Sequence, residues 1–419
     1  MAKESKGIRH LLTRELLAVL FVTSLTHLCG EILAPILPLY LRDGGVDART
    51  IGLIFSVMTV GIAISEVFWG WVVDRVDLKL AIFMGTVIYG IVITGLHFAN
   101  SLPLLFVAFF IYGFSRSPIF IVGRWYMGVY APPDMKAVAM AIQATAISAM
   151  QMVGGFSSGF IAKAWGYDVP LWLASALAIS AGLFLLAIGR WLNFKNHKQP
   201  AREGQPVAKS SASVGRDIKS YTLFLGVLGT LFFIAFGVVM TYLPLFAAEI
   251  VGNDTAKVGA LFGMRGIVAV VTLIPLGRIA DRGGKARFLT LGLALGALAM
   301  TGLALSYSFG MLVVSVLLLS FGSSLYFPTV TAMLAERVPV SWTGTAMGIY
   351  GLMEDVGWII GPAVGGFLWV SVGMRSPFAL GAIVLVFAVA LLQAGIRQAT
   401  PKLAIPASSG VKPRDLTGS

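Results

Sequence analysis

The sequence predicts an all-α membrane protein with twelve transmembrane helices in two six-helix repeats. Three observations carry that reading. Hydrophobic residues make up 57% of the 419 and charged residues 12%, against roughly 45–50% and 25% in ordinary soluble domains. Apolar runs of spanning length recur twelve times. Three local patterns then occur twice, in corresponding runs, at nearly one offset.

The spans follow in order. A spanning helix needs about 20 mostly apolar residues, because the hydrocarbon core is ~30 Å thick and a helix rises 1.5 Å per residue. Such runs lie at about 15–41, 50–73, 79–99, 102–129, 137–163 and 168–191. The second set lies at about 221–249, 255–280, 287–307, 309–334, 342–370 and 376–396. Breakers separate them: Arg42-Asp43-Gly44-Gly45, Asn100-Ser101-Leu102-Pro103, Pro132-Pro133-Asp134 and Gly252-Asn253-Asp254. The basic start, Met1 to Arg14, precedes an apolar run too long for a cleaved leader, so the first run reads as a retained helix. Residues 192–220 lack apolar periodicity and carry six cations, two prolines and a Ser-Ala run. They read as a basic linker between a first bundle at 1–191 and a second at 221–397, with a tail at 398–419.

The net charge of +12 follows from membrane topology rather than from a nucleic-acid partner. If the N-terminus is cytoplasmic, 23 of the 31 Lys and Arg fall on cytoplasmic segments and 5 on outer ones. That bias places both termini and the linker in the cytoplasm of a multi-pass protein of the cell (inner) membrane. A soluble enzyme, a disordered chain and a nucleic-acid-binding domain all fit poorly. Cys29 is the single cysteine, so no internal disulfide forms, and the four His show no metal-ligand spacing.

Duplication gives the internal organisation. Pro38-Leu39-Tyr40 matches Pro244-Leu245-Phe246, at an offset of 206. Gly70-x-x-x-Asp74-Arg75 matches Gly277-x-x-x-Asp281-Arg282, at 207. Gly154-Gly155-x-x-Ser158-Gly159-Phe160 matches Gly361-Pro362-x-x-Gly365-Gly366-Phe367, again at 207. Three matches in corresponding runs indicate a repeated six-helix unit. Two such halves with a midplane site between them form a transporter architecture.

These residues resemble the major facilitator superfamily over essentially the whole chain. The loop Gly70-Trp71-Val72-Val73-Asp74-Arg75-Val76-Asp77 is similar to its Gly-x-x-x-Asp-Arg-x-Gly pattern, with Asp77 where glycine is usual. The second copy, Gly277 to Gly284, keeps the glycine. The resemblance implies a cytoplasmic gate from Gly70, Asp74, Arg75, Gly277, Asp281 and Arg282, which stabilises the outward-facing state. Within the superfamily the chain looks most like twelve-helix drug:proton antiporters. Gly357, Gly361, Pro362, Gly365 and Gly366 have the shape of the antiporter motif but occupy span 11, where span 5 is usual. Phe109 stands where the family expects an arginine in span 4; the arginines here are Arg116 and Arg124.

Ionisable groups at membrane depth cost about 2.5–3.5 kcal/mol each on insertion scales and mark pathways or pairs. Glu31, Glu66, Arg116, Arg124, Arg265, Glu354 and Asp355 are such groups. Glu31 lies one turn before Pro35, which frees a backbone carbonyl. It reads as a proton carrier paired with Arg116, against the plainer reading of a static ion pair. Arg265, Glu354 and Asp355 are the candidates in the second half, for proton, cation or substrate. Glu66 and Arg124 read as a structural pair near the gate, and His27 as a packing residue. Trp69, Trp71, Trp125, Tyr126 and Trp191 read as an interfacial aromatic belt. No Gly-x-x-x-x-Gly-Lys-Ser/Thr loop is present, so a gradient supplies the energy.

The sequence thus points to a secondary transporter working by alternating access, not an enzyme, with no cofactor or metal. Its expected partners are a small-molecule substrate, protons and the lipid bilayer, and a monomer is its expected state. The favoured activity is proton-coupled export of small amphipathic compounds. The alternatives are uptake or facilitated diffusion of an organic anion, sugar or other metabolite, and a non-transporting membrane partner or sensor.

Overall fold

A computed structural model describes residues 13–73, 75–76, 78–130, 136–189, 212–281 and 284–399. The described chain is helical, with twelve helices. Helix α1 spans Arg14–Asp43 and α2 Ala48–Val73. Next come α3 (Leu78–Leu96), α4 (Leu102–Tyr130), α5 (Lys136–Trp165) and α6 (Asp168–Gly189). The second half holds α7 (Ala212–Val251), α8 (Thr255–Asp281), α9 (Lys285–Ala304), α10 (Phe309–Arg337), α11 (Val340–Ser371) and α12 (Ser376–Ala399). Among the described residues, nine helices are apolar and long enough to cross a membrane by length and composition.

Local chemistry sets the ends. The Thr13 hydroxyl accepts from the Leu16 amide at 3.2 Å and caps α1. Pro35 lacks the amide that would bond the Glu31 carbonyl, and α1 breaks between Leu33 and Leu37 before resuming. Helix α7 begins at Ala212, inside the stretch read as linker. A helix satisfies its own backbone groups, so it need not end at the membrane surface. Trp69 is buried at 4% exposure, so the belt reading fails for it, whereas Trp71 is exposed.

The packing repeats with the sequence. Within the first half α1 packs on α5 and α6, α2 on α4, and α3 on α4 and α6. Shifting each number by six gives α7 on α11 and α12, α8 on α10, and α9 on α10 and α12, all of which occur. The halves meet along two related seams, α2 on α11 and α5 on α8. This is the two-repeat architecture read from the sequence.

We call the end carrying Arg14 and Ala399 the terminal face and the opposite end the far face. The halves are sealed toward the far face. A Cβ placed on Gly155 of α5 would sit 2.3 Å from the Gly263 amide of α8, an approach only glycine permits. In the other seam Ser56 of α2 donates to the Ile359 carbonyl of α11 at 2.7 Å. Tyr242 of α7 donates to the Pro362 carbonyl at 2.7 Å, with the Ala48 carbonyl of the first half at 3.2 Å. Nearer the terminal face, Gly344, Gly348 and Gly351 of α11 have nothing within 4 Å of where a Cβ would be. The glycine positions of that stretch face open space, while Ala346 and Tyr350 between them are buried.

Candidate functional site

Counted from the far face at 1.5 Å per residue, Glu31, Arg116 and Arg265 lie about 15–21 Å deep, near the middle of a ~30 Å hydrocarbon core. Three helices bring them together. The backbone of α5 presses on Glu31, since a Cβ on Gly154 would sit 2.7 Å from the Glu31 Cβ. The Arg116 guanidinium of α4 lies over Gly30, where an added Cβ would meet its Nη2 at 3.3 Å. Glu31, Tyr89 and Tyr112 are all within electrostatic reach of Arg116.

Arg265 approaches from the other half. Its Nη1 sits 3.1 Å from the Met240 sulfur, and its guanidinium lies 5.3 and 5.5 Å from the Phe236 and Phe262 ring centres. Aromatic faces and a thioether hold a guanidinium without neutralising it. Among the described residues, the Glu31 carboxylate lies within its electrostatic reach. One carboxylate is therefore within electrostatic reach of two arginines, one from each half.

Glu354 and Asp355 diverge, as neighbours about 100° apart on a helix must. The Tyr350 hydroxyl bonds the Glu354 carboxylate and lies 3.0 Å from the Tyr326 hydroxyl. Asp355 lies within electrostatic reach of Glu66 on α2 as well as of Glu354. Its Oδ2 is buried with no hydrogen-bond partner among the described residues. Of the predicted gate, Asp74 and Arg282 lie outside the described residues, as do the surroundings of Gly70, Gly277 and Asp281 and the Arg124 side chain. Arg75 is exposed and folds back on its own helix, donating to the Trp71 carbonyl at 3.1 Å and stacking 4.2 Å from its ring. Gly357 and Gly361 lie against the α7 backbone, where a Cβ would come within 2.4 Å of the Thr230 and Ile234 carbonyls. Gly365 abuts Tyr242, Gly366 abuts Ala48 and Arg49, and Pro362 packs on Gly237.

Two tyrosine pairs escaped the sequence reading. Tyr89 and Tyr112 hydroxyls lie 3.1 Å apart beside Arg116, as Tyr326 and Tyr350 do beside Glu354. A signal was present: Tyr112 and Tyr350 each precede the buried charge by four residues, one turn on the same face.

Two packed six-helix halves around buried, opposed charges define a membrane transporter. The chain belongs to the Major Facilitator Superfamily, whose family model matches residues 19–305 and 225–418. Proteins of this family transport solutes and are not enzymes. An uncharacterized MFS-type transporter of Methanocaldococcus jannaschii is 25% identical over 374 residues, covering 87% of this chain and 94% of that protein. Multidrug resistance protein MdtG of Klebsiella pneumoniae (strain 342) is 23% identical over 384 residues, covering 87% and 89%. The crystal structure of the POT family transporter PepTSo superposes with a TM-score of 0.76 at 14% identity, covering 93% of this chain and 99% of that one.

Proposed function

We propose that this transporter exports small amphipathic compounds in exchange for protons, and that Glu31 carries the proton. What supports this is that Glu31 lies within electrostatic reach of both Arg116 of its own half and Arg265 of the other. Ionised, Glu31 ties the halves together electrostatically. Protonated, it releases Arg265, and the halves can rock about the central site. Glu354 and Asp355 are the second candidate proton site, because Asp355 faces another acid across the seam. The similarity to proteins named for multidrug resistance supports export. The Lys and Arg bias supports cytoplasmic termini in the inner membrane, a gate from Asp74, Arg75, Asp281 and Arg282 on that side, and 192–220 as the join between bundles. A monomer suffices, since the central charges all come from one chain. The driving force is then a gradient worth ~2.3 kcal/mol per charge per 100 mV.

One observation favours a second reading. Two guanidiniums lie within electrostatic reach of the one Glu31 carboxylate, which leaves positive charge for an organic anion entering by uptake. Purified protein in liposomes with a trapped pH-sensitive dye separates the two. Proton movement opposite to substrate, lost in Glu31→Gln, supports export. Movement in the same direction supports anion uptake. Flux with no proton movement removes Glu31 from any coupling role.

A further inference from the structure

The turn between α7 and α8 gathers contacts from three places in the opposite half. Lys163, at the end of α5, pairs with Asp254 at 3.0 Å. Arg42, at the end of α1, donates to the Asn253 side-chain oxygen at 3.0 Å and lies 3.5 Å from the Glu249 carboxylate. The Thr255 hydroxyl donates to the Gly159 carbonyl of α5 at 3.0 Å. The backbone of the turn is shaped for this. Gly252 and Asn253 both have positive φ, 66° and 60°, and Asn253 is the only such non-glycine residue among those described. The Asn253 amide closes the helix end on the Ala248 carbonyl at 2.8 Å. This left-handed pair turns Asn253 and Asp254 outward, toward the two cations.

We infer that Arg42 and Lys163, received by the turn at Asn253 and Asp254, form the far-face lock that sets how often the protein opens on that side. Neither of the two tandem loop motifs contains any of these residues. The lock lies at the opposite end from those motifs and at the far-face surface rather than at mid-depth with the central charges, so it stands whether or not Glu31 carries a proton. A single exposed ion pair contributes little. Here three contacts converge on one short turn, and opening the far face must break all of them together. Lys163 holds the Asp254 carboxyl below its usual range, so the pair stays ionised at neutral pH.

The test uses the full-length protein in lipid without substrate. Spin labels go on Ser101→Cys and Val372→Cys, exposed far-face positions in opposite halves; the native Cys29 is buried. Lys163→Met and Asp254→Asn should each move the distance distribution toward the longer population by about two- to fivefold, the scale of an exposed pair. Asp254→Asn keeps a side-chain oxygen to accept from the Ala256 amide, so the start of α8 is preserved. The charge swap Lys163→Asp with Asp254→Lys should restore the original distribution. If the swap does not fold, Arg42→Gln provides an independent reading and should shift the distribution the same way. An unchanged distribution in the single variants, or a shift that a folded swap fails to reverse, overturns the proposal.

Discussion

Arg265 of α8 lies within electrostatic reach of Glu31 of α1, and the two belong to opposite halves of the bundle. Its other described contacts are uncharged: the Met240 sulfur and the faces of Phe236 and Phe262. Among the described residues, removing that guanidinium leaves Glu31 with Arg116, so this charge link between halves is lost. Arg265→Gln is expected to reduce substrate-driven proton movement at least about tenfold, the effect of losing ~1.4 kcal/mol of coupling. Arg265→Lys keeps the charge but loses the planar stacking, so it should fall between. Full proton movement in the glutamine variant would remove Arg265 from the coupling path.

Tyr242 joins α7, α11 and α2 at one point. Its hydroxyl is buried between the carbonyls of Pro362 and Ala48. Tyr242→Phe leaves those carbonyls without this donor, at a cost of about 1–3 kcal/mol. A lower thermal midpoint in detergent is expected. So is faster labelling of far-face cysteines, since Ala48 belongs to the opposite half.

The spans were legible because lipid imposes a length and a composition on each helix. The repeat was legible because duplicated turns keep their glycines and charges. The partner of Arg265 was not, because hydropathy does not fix the rotation of α8 about its axis. The far-face lock was hidden for another reason. It joins Lys163 to Asp254 and Arg42 to Asn253 through short turns, 91 and 211 residues apart in sequence. No periodic pattern marks such pairs. The tyrosines could have been found by asking what stands one turn before each buried charge.

Asp254 gives the far face an acid limit. Its carboxyl is held below its ordinary value of 3.8, chiefly by the hydrogen bond from Lys163. A carboxylate lowered on folding stabilises the structure above its unfolded value, and that contribution is lost as pH falls through the folded value. Closure of the far face should therefore hold across neutral pH and weaken only below about pH 4. In Asp254→Asn this part of the acid response should be missing. An identical acid response in both proteins would assign it to other carboxylates.

Gly155 and Gly263 form one of the close backbone approaches of the α5–α8 seam. A methyl group on Gly155 would lie 2.3 Å from the Gly263 amide, and neither backbone can yield without moving its helix. Overpacking of this kind costs typically about 1–3 kcal/mol. In a protein that alternates between two states, the cost falls on the state in which the seam is closed. Gly155→Ala should therefore favour opening at the far face by roughly 5- to 150-fold. Distance measurements across that face read this directly. An alanine variant with the same distribution as wild type would mean that the seam yields locally and does not govern the exchange.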